Sequence, residues 1–124
     1  MKLIIAVIAP DRIDSVQKVL PEPDAYVYYI SQVGDVHEPV HGSYRGCSYL
    51  EPRARLRVEI IVVNEMLLDE VVEAVMKAAA TTSGRVSSGN IFVVPLDAWH
   101  RIPSVAEPDL EDGRARNPKS VISR

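Results

Sequence analysis

A single cysteine, Cys47, stands in a chain of 124 residues, so no internal disulfide can form. No apolar run is longer than Leu3 to Ala9, far short of the roughly 20 residues a membrane-spanning helix needs. Met1-Lys2 leads into that run without a small-residue cleavage site, which predicts no signal peptide and a cytoplasmic location. Positive charge is not in excess: 14 Lys and Arg stand against 17 Asp and Glu, a net charge of −3. That balance gives no electrostatic reason to expect nucleic acid or anionic lipid as a partner. What is present is the balance of an ordinary globular protein, 47% hydrophobic and 25% charged, at a length that suits one domain.

Lys2 to Ala9 reads as a strand apolar on both faces. After Pro10, the spacing of Ile13, Val16, Val19 and Leu20 predicts a helix, which Pro21-Glu22-Pro23 ends. Ala25 to Val33 is aromatic and β-branched, and Leu56 to Val63 alternates and then turns fully apolar; both read as strands. Asn64 is a helix cap in sequence terms. Beyond it Leu68, Val71, Val72, Val75, Met76 and Ala79 form one apolar stripe, which predicts a core-facing helix. Ile91 to Val94 is a last short strand, stopped by Pro95. The order βαββαβ predicts an α+β, ferredoxin-like domain: a four-stranded antiparallel sheet with both helices on one face. The other face of so apolar a sheet needs cover, and a homo-oligomer closing sheet against sheet supplies it.

Gly34 to Pro52 reads as a long loop between the second and third strands. The tail after Pro103, acidic and then basic, reads as flexible in isolation. Within the loop, His37-Glu38-Pro39-Val40-His41 matches H-E-x-x-H, the zinc-hydrolase pattern. Pro39, with Gly34 and Gly42 on either side, argues against the helix that motif requires, leaving His37 and His41 as weak metal candidates. Gly84-Arg85-Val86-Ser87-Ser88-Gly89-Asn90 has the glycine spacing of a P-loop without its lysine, and it enters a strand instead of leaving one. Its glycines and serines are nevertheless the equipment of an anion-binding nest. Trp99 reads as a hydrophobic anchor with a polar tip. No serine–histidine–aspartate set is present, and no catalytic residue is assigned.

Several of these segments, in this order, resemble the PII signal-transduction proteins, over residues 1 to about 103. Met1 to Pro10 is similar to that family's first strand and helix-opening proline. Tyr44-Arg45-Gly46-Cys47-Ser48-Tyr49 resembles Tyr-Arg-Gly-Ala-Glu-Tyr of its T-loop, which falls here at 34–52. Arg57 to Val62 is similar to its third strand. Ser83 to Val93 parallels Thr-Gly-Lys-Ile-Gly-Asp-Gly-Lys-Ile-Phe-Val of its phosphate-gripping B-loop, here 83–90, and Arg101-Ile102-Pro103 falls where the family has Arg-Ile-Arg.

The resemblance implies a homotrimeric, non-enzymatic regulator that binds adenine nucleotides at clefts between subunits and signals through its T-loop to a target protein. By the same carry-over, Gly89 is a backbone donor to phosphate, flanked by Ser87, Ser88 and Asn90, and Arg101 is a phosphate-binding arginine. Val7 and Ile61 border the adenine, Tyr49 falls where some members are uridylylated, and the tail at 104–124 folds on ligand binding or stays flexible. Asn90 and Pro103 replace two cations of the family, which implies ADP or AMP favoured over ATP. The T-loop lacks the family's Gly-Phe-Gly-Arg-Gln, with Gly34-Asp35-Val36-His37-Glu38 in its place. In this the chain looks like the divergent members tied to inorganic carbon, including the carboxysome-associated group. Bicarbonate is then the expected second ligand, with Arg45, Arg53 and Arg55 as its candidate donors. The alternative is a divalent-cation-binding trimer of the CutA type, using His37 and His41.

Overall fold

In a computed structural model of the chain, residues 1–82 and 84–106 are described. The tail expected to be flexible lies outside them beyond residue 106, as does Ser83. The strands are β1 (Lys2–Ile8), β2 (Ala25–Tyr44), β3 (Cys47–Val62) and β4 (Gly89–Pro95), and the helices are α1 (Ile13–Lys18) and α2 (Leu68–Ala79). The four strands form one antiparallel sheet in the order β2-β3-β1-β4. This is the ferredoxin-like α+β arrangement expected from the element order.

Alternation divides the two faces of the sheet. Ile4, Ala6 and Ile8 of β1 and Val58, Ile60 and Val62 of β3 point to one side and are buried with Val16, Val71, Val75 and Ala79 of the helices. Val72 and Leu68 flank this core, but Met76, the fifth residue of the stripe, is exposed at 55%. The stripe is wider than the sheet surface that receives it. Each helix enters through a 3-10 turn. Asn64 caps the one before α2 by accepting from the Met66 N–H at 3.1 Å. Arg12 closes the far end of α2, its Nε and Nη2 donating to the Ala78 carbonyl at 3.1 and 2.9 Å.

The segment expected as a long loop extends both strands instead. Beyond the sheet, β2 and β3 continue as a two-stranded arm to a tight turn at Arg45-Gly46, where φ is 54° and 82°. Positive φ at both central residues is the geometry that matches strand twist in a two-residue hairpin. The pairing is interrupted once: Asp35 pairs with Arg53 and Val40 with Glu51, so four residues, Val36 to Pro39, face the single Pro52. Pro39 and Pro52 have no N–H for the ladder, which accounts for a bulge at this place. Pro95 closes β4 from within, pairing with Lys2 at the strand end where no further donor is needed.

At Gly89 β4 joins the sheet with φ at 131°, and a Cβ there would lie 1.9 Å from the Val7 carbonyl oxygen. Gly89→Ala is therefore expected to pry β4 from β1 at this end and to lower stability by about 1–3 kcal/mol, read from denaturant midpoints. Ile60→Ala, which opens the centre of the core, is expected to cost about 2–5 kcal/mol in the same measurement.

Candidate functional site

The bulge of the arm and the Gly84–Asn90 turn meet around one side chain. Arg55, on β3, has 3% of its surface exposed. Its Nε donates to Asp35 Oδ2 at 3.2 Å, and its Nη2 donates to Glu38 Oε1 at 3.4 Å and to the Ser87 carbonyl at 3.1 Å. Asp35 also shapes the bulge, because its Oδ1 accepts from the N–H groups of His37 and Glu38 at 2.9 and 3.0 Å. Arg53 holds the bulge from the opposite strand, donating to the carbonyls of Glu38 at 2.9 Å and Pro39 at 3.3 Å.

Glu38 then reaches the turn. Its Oε2 accepts from the Ser87 N–H at 3.0 Å, and its Oε1 accepts from the Ser87 hydroxyl. The Glu38 carboxyl is held below the usual range mainly by the two Ser87 donors, with Arg55 adding to them. The Asp35 carboxyl is also lowered, chiefly by the Glu38 N–H and further by the His37 N–H and by Arg55, against an opposing effect of burial.

The nucleotide-site residues named from the resemblance fall into two groups. Val7, Ser88, Gly89 and Asn90 border one cavity of about 200 Å³ at the turn, beside Met76. Ile61 and Arg101 border another of about 450 Å³ on the open face, with Trp99 and His100. Val7 and Leu3, the β1 partner of Ile61, are four residues apart, roughly 13 Å along the strand. Ser88 is turned away from the nest: its hydroxyl accepts from the Thr81 N–H at 2.9 Å and lies 3.1 Å from the Thr81 hydroxyl. Ser87 is thus the turn residue whose donors converge on an anion.

The three arginines considered for bicarbonate do not converge. Arg53 and Arg55 are engaged at the bulge, while Arg45 sits at the tip of the arm, its guanidinium 5.2 Å from the Tyr44 ring centre. Tyr49 pairs with Gly42 and is 44% exposed. The H-E-x-x-H segment runs through the bulge and the arm strand and forms no helix. Among the described residues no three His, Cys, Asp or Glu side chains are placed to hold a metal ion.

Sequence reasoning met Glu38 only within H-E-x-x-H and gave Asp35 no role, and neither was seen as a partner of Arg55. The two-residue spacing of Arg53, Arg55 and Arg57 on an alternating strand was the available signal that cations share one face there. Trp99, read from sequence as a hydrophobic anchor, packs as one, on Tyr28, a partner that reading did not name. Tyr28, the extra residue of a second β2 irregularity, packs edge-on against Trp99 at 5.4 Å and Tyr29 at 4.8 Å. This anchors the segment that carries Arg101 to the open face.

Fold and site together define a ferredoxin-like α+β domain whose hairpin arm is tied to a turn that receives an anion. The sequence model of the family described as nitrogen regulatory protein P-II matches residues 1–104. The chain is similar to nitrogen regulatory protein GlnK1 of Methanosarcina mazei, 32% identical over 105 residues that cover 82% of this chain and 89% of the relative. It is 33% identical over 114 residues to the P-II proteins of Rhizobium etli and Synechocystis, covering 90% of this chain and 98% of each relative. The chain belongs to the nitrogen regulatory protein P-II family, a family of regulatory signalling proteins.

Because both carboxyls of the cluster are lowered, their contribution is complete above the ordinary carboxyl range and is lost as pH falls through the lowered values. Protection factors of the amides in residues 36–41 are expected to fall as pH drops below the ordinary carboxyl range toward the lowered values. Asp35→Asn should already exchange fast at pH 7 and show a shallower acid dependence.

Proposed function

We propose that this chain is a non-enzymatic regulator that assembles as a homotrimer, binds adenine nucleotides between subunits and reports their state to a target protein through the hairpin arm. The observation that carries the reading is the Gly84–Asn90 turn, where an N–H and a hydroxyl of Ser87 already converge on two carboxylate oxygens. Such a pair suits phosphate oxygens equally well. Gly89 keeps the backbone of the turn close to β1, with no side chain between it and a ligand.

The distance between the two groups of candidate residues supports a site shared by subunits. Arg101 and Ile61 lie at the opposite end of β1 from the turn, an arrangement suited to a cleft that two copies complete from either side. The open face carries half-buried Leu3, Ile5 and Val7 beside exposed Tyr29 and Phe92, a surface suited to another copy. Arg57 Nε, shielded from solvent without a partner among the described residues, is a donor available to a neighbouring subunit.

ADP and AMP are favoured over ATP in this reading, because Asn90 and Pro103 carry no charge for the distal phosphate. Bicarbonate enters as a condition of the test, since Arg53 and Arg55 would first have to leave the bulge. No observation favours the cation-binding alternative.

Calorimetric titration of ATP, ADP, AMP and cyclic AMP, each with and without bicarbonate, tests the proposal in wild type and Arg101→Ala. Saturable binding of ADP or AMP is expected, weakened by about 1–3 kcal/mol in Arg101→Ala. Absence of binding by every adenylate would reject it.

A further inference from the structure

The arm delivers its own anion to the turn. The Glu38 carboxylate takes three donors there: the Ser87 N–H, the Ser87 hydroxyl and Arg55 Nη2. A backbone N–H, a hydroxyl and a guanidinium form the donor set that binds a phosphoryl group. We propose that Glu38 is an internal competitor for this turn, so that a phosphate-bearing ligand binds by displacing its carboxylate and thereby unties the arm. The proposal rests on the reading of the turn as a phosphate site and adds how that site is regulated.

The surroundings allow the exchange. The Glu38 side chain is 26% exposed, so a solute can reach it, whereas Arg55 at 3% cannot leave. Asp35 stays on Arg55 at 3.2 Å, so removing Glu38 does not strand a buried cation. The backbone at Glu38 is gripped separately, its N–H by Asp35 and its carbonyl by Arg53. The side chain can therefore swing out while the bulge persists. The incoming anion would inherit the same three donors, and the arm would lose the Glu38 link to the turn. Ligand and arm position are then coupled, because the ligand binds only one of the two side-chain states.

ADP and, separately, inorganic pyrophosphate are titrated into wild type, Glu38→Ala and Glu38→Gln. The alanine variant is expected to bind about ten-fold more tightly, the loss of a competing charge-assisted contact. Glutamine keeps the shape and loses the charge, so a smaller gain of about three-fold is expected, and it guards against a folding defect in the alanine variant. Equal or weaker ADP binding in both variants would overturn the competitor while leaving the nucleotide reading intact. Tighter pyrophosphate binding in the variants without ADP binding in any protein would support the competitor and reject the adenylate reading. No binding of either probe to any of the three proteins would overturn both.

Discussion

A guanidinium shut away from water must be neutralised where it stands, and around Arg55 that requirement organises the molecule. From its platform on β3 Arg55 reaches three hydrogen-bonding partners in two places: Asp35 and Glu38 in β2's bulge, and the Ser87 carbonyl in the turn before β4. An isolated two-stranded hairpin is marginal in water. Here the arm begins at a point held by a buried ion cluster, which gives its first pairs a fixed origin. The turn before β4, rich in glycine and serine and with little apolar surface of its own, takes its position from the same cluster.

The two faces of the sheet divide the labour. The helix side holds a small aliphatic core that, among the described residues, is built from Ile, Val, Leu and Ala without a buried aromatic ring. The open side holds Tyr28, Tyr29, Trp99 and the charged residues Arg57 and Glu59, joined at 3.3 Å. The aliphatic core and the aromatic, charged surface are thereby placed on opposite faces of the same strands. β1 serves both through simple alternation, with Ile4, Ala6 and Ile8 inward and Leu3, Ile5 and Val7 outward.

Local periodicity was enough for the elements that depend on local burial. The strand at Lys2–Ile8 ends one residue short of expectation, and the helix at Leu68–Ala79 covers the expected stripe, with a 3-10 turn between it and the Asn64 cap, because one face of each meets the core. The arm was not legible for a physical reason. Gly34, Pro39, Gly42 and Pro52 are loop punctuation by composition, but in the folded chain Pro39 and Pro52 sit at one bulge and the glycines accept close cross-strand neighbours. Arg45-Gly46 lacks the Asn or Asp that usually marks a hairpin turn. The cluster was hidden more deeply still. Glu38 and Ser87 lie 49 residues apart, and no spacing rule links an arm to a turn across that distance. The glycine–serine turn was recognisable as an anion receptor, whereas the identity of the anion that the fold itself supplies was not.

The bulge between Asp35 and Val40 also has a mechanical meaning. Counted on the partner strand, the arm from Arg53 to Cys47 is six steps long, roughly 20 Å of extended chain. Were the arm to pivot at this bulge, a rotation of about 10° would carry the tip by roughly 3–4 Å. A change of one side-chain rotamer at Glu38 would thus be magnified into a displacement the size of a side chain at Tyr44 and Arg45, large enough to decide whether those groups fit a surface presented to them.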